Sequence, residues 1–334
     1  SEMCIRDRMG TLRSRIRLAG IAIILVTLTI YGILSQKSEL NDDANKIKIT
    51  IAQFGDFFLY APLYIALDEG YFSREGLDVT IINTGGDDKT WAAVISGSAD
   101  FGVADPTFVA VSAARGQNGI VVANLVNGVP FWGITYLDVA PFTDAKSLAN
   151  HSVATFPSPS TAYALQQKMF ADAGLVPNIR EGAFGTIIPM LKAGTADIGL
   201  ELEPNVSLAV SEGAKIVYSL AERYGDFAMT GVTAKDTTAT NNPQILVSLR
   251  SALQGALDLL HDEPDRAWAK LTERFPGVAP KVAREALNRA LQDGVVPRSA
   301  AISREAWGKA IALRKEVGDL SGDAPYERFI WNPK

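Results

Sequence analysis

Apolar and polar residues alternate from Ile47 to Ala52, with Ile47, Ile49 and Ile51 set against Lys48 and Thr50. That is the period of a half-buried strand. Gln53 to Tyr60 reads as an aromatic-rich loop, and Pro62 opens a helix that Gly70 ends. Leu77 to Ile82 is a second strand. Gly85-Gly86-Asp87-Asp88 turns into a helix from about Lys89 to Ser96. A strand at Phe101 to Val103, a helix at Phe108 to Arg115 and a strand at Ile120 to Leu125 follow. The β-α-β-α-β order predicts a mostly parallel sheet with helices packed on it.

The plan then repeats. Ser152 to Thr155, Ile198 to Leu200 and Lys215 to Tyr218 read as strands. One helix runs from Pro157-Ser-Pro-Ser-Thr161 to Gly174, and another opens at Gly182 to Thr186 and ends at Gly194. After Met229 the pattern is almost wholly helical: Gln244–Leu260, Pro264–Arg274, Pro280–Gln292 and Arg304–Val317. Two stretches about a hundred residues apart carry nearly the same text. Val94 to Pro106 contains Gly-Ser-Ala-Asp-Phe-Gly, and Met190 to Pro204 contains Gly-Thr-Ala-Asp-Ile-Gly, each closing on an acid followed by Pro. The second has one extra residue before its Glu-Pro. The echo implies two similar α/β lobes with a crevice between them, where such folds bind small molecules.

Composition adds constraints. The chain has 334 residues, 47% hydrophobic and 21% charged, with a net charge of −5. Arg6, Arg8, Arg13, Arg15 and Arg17 all lie near the start, so the body is more acidic still, and no basic stripe suggests a nucleic-acid partner. The only Cys is Cys4, and the only His residues are His151 and His261. The body offers no disulfide, no thiolate nucleophile and no His- or Cys-based metal site. Phosphate-loop, dinucleotide and nucleophile-elbow motifs are absent. No cofactor and no catalytic residue is expected. Residues 1–8 read as a segment preceding the natural start. Residues 9–35 combine basic residues with the uncharged run Leu18 to Leu34, a secretion signal or an uncleaved anchor. The remaining boundaries are a linker at 36–46, a first lobe at 47–140, a second at 141–228, and a return to the first lobe at 229–334.

Ala61-Pro-Leu-Tyr-Ile-Ala-Leu-Asp-Glu-Gly-Tyr-Phe72, Glu75-Gly-Leu-Asp-Val79 and Gly97-Ser-Ala-Asp-Phe-Gly102 resemble the solute-binding proteins of ABC importers. The resemblance is to the group of nitrate, alkylsulfonate, taurine and thiamine-pyrimidine binders, NMT1/THI5-like and SsuA-like, and it spans roughly residues 47 to 330. It implies a two-lobed type II periplasmic-binding-protein fold with a C-terminal helical extension. It further implies a monomeric protein, exported to the periplasm, that captures a small solute by lobe closure and delivers it to membrane permease subunits. The rival readings are an enzyme of lyase or dehydratase type on the same fold, using cleft carboxylates, and a membrane-tethered sensor. Eukaryotic relatives that make the thiamine pyrimidine depend on a cysteine-rich motif, which this body lacks.

The cleft is expected to be lined from strand-end loops. In the first lobe these carry Phe54, Asp56, Phe57, Tyr60, Gly85, Gly86, Asp105 and Trp132. In the second they carry Phe156, Ser158, Ser160, Thr161, Phe184, Glu201 and Glu203. Each has a structural alternative. Phe57 and Phe58 are adjacent, so one must turn into the core. Asp105 before Pro106 fits a helix cap. Gly85-Gly86 and Ser158 to Thr161 precede helices, where free N–H groups either cap or receive an anion. Inward-facing acids favour a ligand with amino or cationic groups over an isolated anion such as nitrate. A pyrimidine or similar N-heterocycle fits best, then a sulfonate or taurine, then nitrate. Trp132 and Glu201 are expected to contact ligand. The Gly-(Ser/Thr)-Ala-Asp turns are expected to be structural.

Overall fold

A computed structural model describes residues 46–158 and 160–332. The leader, the apolar segment and nearly all of the linker read from the sequence lie outside these residues. Among the described residues no helix is long and apolar enough to cross a membrane.

The strands, in chain order, are β1 (Ile47–Gln53), β2 (Leu77–Asn83), β3 (Phe101–Ala104), β4 (Gly119–Asn127), β5 (Trp132–Thr135), β6 (Val153–Thr155), β7 (Ile179–Glu181), β8 (Ile198–Glu201), β9 (Lys215–Ser219) and β10 (Ala228–Lys235). They form two five-stranded sheets, β2-β1-β3-β10-β4 and β7-β6-β8-β5-β9. The fold is the two-lobed, doubly built α/β architecture expected. The two orders correspond strand for strand, with β3 and β8 in the central place of each. In each sheet one strand runs against the rest. β10 is antiparallel to β3 and β4, and β5 is antiparallel to β8 and β9. Each is the strand that follows a crossing between the sheets, so the lobes exchange one strand.

The exchange corrects two readings. β5, which a boundary at residue 140 assigns to the first lobe, is hydrogen-bonded in the second sheet. The chain after Met229 is not helical at once, because β10 runs to Lys235. Both strands escape the period-2 signal for one reason. β5 is buried throughout and β10 at six of its eight positions, so apolar residues sit on both faces and nothing alternates.

The helices are α1 (Ala61–Asp68), α2 (Tyr71–Arg74), α3 (Asp87–Ser96), α4 (Phe108–Ala113), α5 (Thr161–Asp172), α6 (Ile187–Lys192), α7 (Asn205–Ser211), α8 (Leu220–Tyr224), α9 (Asp236–Asn241), α10 (Pro243–Asp262), α11 (Pro264–Arg274), α12 (Pro280–Gln292), α13 (Arg304–Glu316) and α14 (Tyr326–Phe329). Three of the C-terminal helices start on a Pro, whose missing N–H costs nothing there. Ser303 caps α13 by accepting the Ala306 N–H at 3.0 Å. Leu246, Leu249, Leu253, Leu257 and Leu260 make one buried stripe of α10, which packs on α1 and α2 of the first lobe. α13 packs on β10, whereas α12 reaches α7 in the second lobe.

The echoed segments occupy equivalent places. Gly97 and Gly194 follow α3 and α6 with φ of 82° and 68°, in the left-handed region that favours glycine. The Asp100 carboxylate accepts the Thr50 N–H at 2.7 Å, and the Asp197 carboxylate accepts the Ser152 N–H at 2.7 Å. Each Asp therefore pins the neighbouring parallel strand, at mid-strand Thr50 in β1 and at Ser152 just before β6, rather than its own turn. Gly102 and Gly199 let a helix lie directly on the strand. A Cβ at Gly199 would sit 2.6 Å from the Ile187 side chain, and one at Gly102 2.9 Å from Val94.

Candidate functional site

Between the sheets lies a cavity of about 1050 Å³, lined by both lobes and by the end of α13. This is at the top of the usual range for small-molecule sites, about 300–1,000 Å³. Of the residues expected to line the cleft, Phe54, Phe57, Tyr60, Gly86, Asp105, Phe156, Ser160, Thr161 and Phe184 do so. Asp56, Gly85, Trp132, Ser158, Glu201 and Glu203 are not in its lining.

The rings form a continuous wall. Phe54 stands 5.2 Å from Phe57, which meets Tyr60 edge-on at 5.4 Å and Phe184 of the other lobe at 5.4 Å. Phe184 stacks on Phe156 at 6.1 Å, and Phe156 leans on Phe131 at 5.9 Å. These separations are typical of favourable ring pairs. Of the neighbours Phe57 and Phe58, the second turns into the core against Phe275. Phe184 is 54% exposed despite its size, so its ring is held at the cavity rather than in a core. Phe131, Trp91 and Phe108 complete the aromatic lining and were not in the sequence reading. Phe131 escapes it because the loop before β5 gives no strand signal.

Asp105 follows β3 and is buried. Its Oδ1 accepts the Thr107 N–H at 2.8 Å and the Thr107 hydroxyl at 2.5 Å. Its Oδ2 pairs with Arg314 of α13. Arg314 also donates to Asp319 at 2.8 Å, to Thr107 at 3.0 Å and to Thr161 of the second lobe at 3.2 Å. The Asp105 carboxylate beside it raises the guanidinium's affinity for its proton. Arg314 is a cavity residue that no local pattern discloses, since it sits in an ordinary helix two hundred residues from its partner. Ser160 caps α5 by accepting the Tyr163 N–H at 3.2 Å.

The six that lie elsewhere have identifiable work. Asp56 is exposed and accepts from Gln53 at 2.8 Å and Asn83 at 2.9 Å. Gly85 turns the chain after β2 with φ of 79°. Ser158 is exposed, and its N–H points to Glu181 at 3.3 Å. Trp132 faces away from the cavity, is 1% exposed, and donates its indole N–H to Asp293 at 2.7 Å. Glu201 folds back on its own chain and accepts the Leu202 N–H at 2.9 Å and the Asn205 amide at 3.2 Å. Burial pushes its carboxyl up to about 7. Glu203 is fully buried against Arg289 of α12, at 2.6 Å, and against Ser207. The extra residue in the second echo leaves Glu203, before its Pro, as the counterpart of Asp105 and sets Glu201 out of step with it.

Asp87, the first residue of α3, also lines the cavity. Its Oδ1 accepts the Asp105 N–H at 3.2 Å. Burial, then the nearby Asp105, push its carboxyl up to about 6. Thus the helix start after Gly85-Gly86, one of two expected to cap or to receive an anion, already carries Asp87 and Asp88. His261 contacts the Pro297 carbonyl, and neither His lines the cavity. Among the described residues no group of His, Cys, Asp and Glu could hold a metal ion.

Three comparisons place this geometry among known proteins. YtlA of Bacillus subtilis (strain 168), named as a binding protein, is 24% identical over 295 residues, covering 85% of this chain and 87% of that one. The 4-amino-5-hydroxymethyl-2-methylpyrimidine phosphate synthase of Candida albicans (strain WO-1) is 24% identical over 229 residues, 63% of this chain and 66% of that one. The periplasmic aliphatic sulphonate binding protein SsuA from Escherichia coli superposes with a TM-score of 0.69 at 15% identity, covering 85% of this chain and 97% of that one. With residues 58–267, well over half of its length, matching the family described as NMT1/THI5 like, the chain belongs to that family.

Proposed function

We propose that this protein is the solute-binding component of an ABC importer, exported to the periplasm, and that it encloses a small nitrogen-containing organic solute between its lobes. The observation that carries the reading is the wall of phenyl rings contributed by both sheets. Such a wall forms only when the lobes are together, so a planar guest between them would be stacked on closure and released on opening. A pyrimidine or related N-heterocycle suits it. Sulfonates and nitrate, which need donors rather than rings, suit it less. The proposed ligand contacts are the nine cavity-lining residues anticipated above, together with Phe131, Asp87 and Thr230. The relative YtlA, matched along most of its length, supports binding as the activity, and the permease would read the closed form. Each lobe is proposed as one sheet with the helices fastened to it, 47–128 with 228–279 and 295–332 for the first, and 131–219 with 280–294 for the second.

The likeness to the Candida albicans synthase raises a catalytic reading. Against it, the ionisable cavity lining is restricted to aspartates, arginines and Tyr60, with no histidine. Native mass spectrometry of freshly purified protein tests both, since a retained solute would appear as a discrete mass. Calorimetry with pyrimidines, sulfonates and nitrate, with X-ray scattering alongside, should show affinity of about −8 kcal/mol or stronger for a pyrimidine, and compaction on binding. No binding and no compaction across the panel would refute the importer reading, and turnover of a bound pyrimidine would replace it with the enzyme.

A further inference from the structure

The cavity's polar groups are unequally occupied by the protein itself. The guanidinium of Arg314 is taken by Asp105 and Asp319. The hydroxyl of Thr161 donates to Asp105 at 3.3 Å, and the N–H of Thr107 is bound by the same carboxylate. The cavity-lining donors Arg314 and Thr161, which would receive a sulfonate or nitrate, therefore already face aspartates. Arg115, the other cationic lining residue, is exposed. Asp87 is the reverse case. Its carboxylate receives a single backbone N–H, from Asp105, and among the described residues no side chain donates to it. It shares the cavity with the rings of Phe57, Tyr60 and Trp91.

A half-buried carboxylate with an oxygen that no protein group occupies, set in an aromatic-walled cavity, is free to exchange water for a positively charged N–H of a guest. We propose that the Asp87 carboxylate receives a cationic nitrogen of the solute, and that this contact makes the site select small cationic N-heterocycles over anions of similar size. The inference rests on the solute-binding reading above and names the class of solute. A cation is favoured twice, by the charge-assisted hydrogen bond to Asp87 and by the faces of the surrounding rings.

The test uses two pyrimidines of nearly equal shape, 4-amino-5-hydroxymethyl-2-methylpyrimidine and its 5-aminomethyl analogue, which is an ammonium ion at neutral pH. Calorimetry at pH 7.5 should give the ammonium compound about tenfold tighter binding or more, the size expected of one charge-assisted hydrogen bond. Asp87→Asn should abolish the preference, bringing the ammonium compound's affinity down to that of the neutral one. A thermal melt checks that the variant folds. The wild-type protein at pH 5 gives an independent arm. The charged groups facing Asp87 are Asp105 from β3, Asp88 on its own helix and Arg314 from α13, with the Tyr60 phenol beside them. Its carboxyl, held near 6, is protonated below that value, so the preference should shrink between pH 7.5 and pH 5. Equal affinities, or a preference that survives both Asp87→Asn and pH 5, would overturn the role of Asp87 and leave pyrimidine capture standing. Failure of both pyrimidines, with methanesulfonate or nitrate bound instead, would overturn the solute class and this inference together.

Discussion

Arg314 gives the sharpest test of how the cavity is held. Arg314→Met keeps most of the stem and removes the charge. The side chains of Arg314 and Asp105 are 8% and 7% exposed, so the substitution strands a carboxylate in a nearly dry place. Removing one partner of a buried pair costs about 3–5 kcal/mol. Here the lower end applies, because Asp105 keeps the Thr107 N–H at 2.8 Å, the Thr107 hydroxyl and the Thr161 hydroxyl. We expect a loss of about 3 kcal/mol, read as a lowered urea midpoint at unchanged slope. A thermal midpoint lowered by about 6 °C or more should accompany it. Adding Asp105→Asn removes the stranded charge, so the double variant should be more stable than the two single losses predict, by about 2 kcal/mol. A loss under about 1 kcal/mol for Arg314→Met, or strictly additive losses, would show that the pair is not what fixes α13 against β3.

Two other outcomes follow from the same geometry. Burial raises the folded-state pKa of Glu201 to about 7, above the usual carboxyl value, so the folded protein holds that proton more tightly than the unfolded chain. The resulting stability is complete below about pH 4.5 and is lost as pH rises through 7, a change of about 3 kcal/mol. Glu201→Gln should flatten that part of the urea stability–pH curve, and an unchanged slope would contradict the assignment. Phe184→Ala should leave the melting temperature of the free protein within about 2 °C, because the ring is 54% exposed, yet weaken pyrimidine binding about threefold to tenfold through loss of the ring contacts with Phe57 and Phe156. Calorimetry with a melt alongside decides it, and full affinity would remove Phe184 from the site.

Much of the fold is readable because its information is local. The helix-ending glycines, the strand glycines under α3 and α6, and the pinning aspartates all sit within ten residues of one another, so the echo preserves them as text. β5 and β10 were not readable. Their direction and place depend on partners far away, and burial on both faces erases alternation. The site divides along the same line. The rings of Phe54, Phe57, Phe156 and Phe184 project from loops directly after strands, where strand direction alone carries them to the cavity. Trp132 misled because it stands at the cleft end of β5, paired with Glu201 and Ser219, yet it is the neighbouring Phe131 that lines the cavity while the indole donates to Asp293. Glu201 misled because a matched position in a repeat does not imply a matched orientation once Leu202 is inserted.

The duplication reaches further than the text that reveals it. Each lobe closes its central strand on an acid followed by Pro, and each acid takes an arginine from the C-terminal helices. Asp105 takes Arg314, and Glu203 takes Arg289. Each acid is also bonded by a hydroxyl a few residues on, Thr107 or Ser207. The motif is therefore a socket, and the C-terminal segment supplies one plug to each lobe. α12 is fastened to the second lobe through Glu203 and through the Trp132–Asp293 hydrogen bond, and α13 to the first through Asp105. What joins α13 to the second lobe is weaker. It includes the hydrogen bond from the Arg314 guanidinium to Thr161, the exposed pair Lys168–Glu316, and Lys309 on the Tyr224 carbonyl. Exposed pairs contribute about 0–1 kcal/mol each and a hydrogen bond from a charged donor about 1.5–3 kcal/mol, against about 3–5 kcal/mol for breaking a buried ion pair. If the lobes separate as proposed, the fewest of these contacts would break along the α13 face, which borders the cavity. On that proposal the sockets would stay filled, each acid–arginine pair holding its helix to its own lobe.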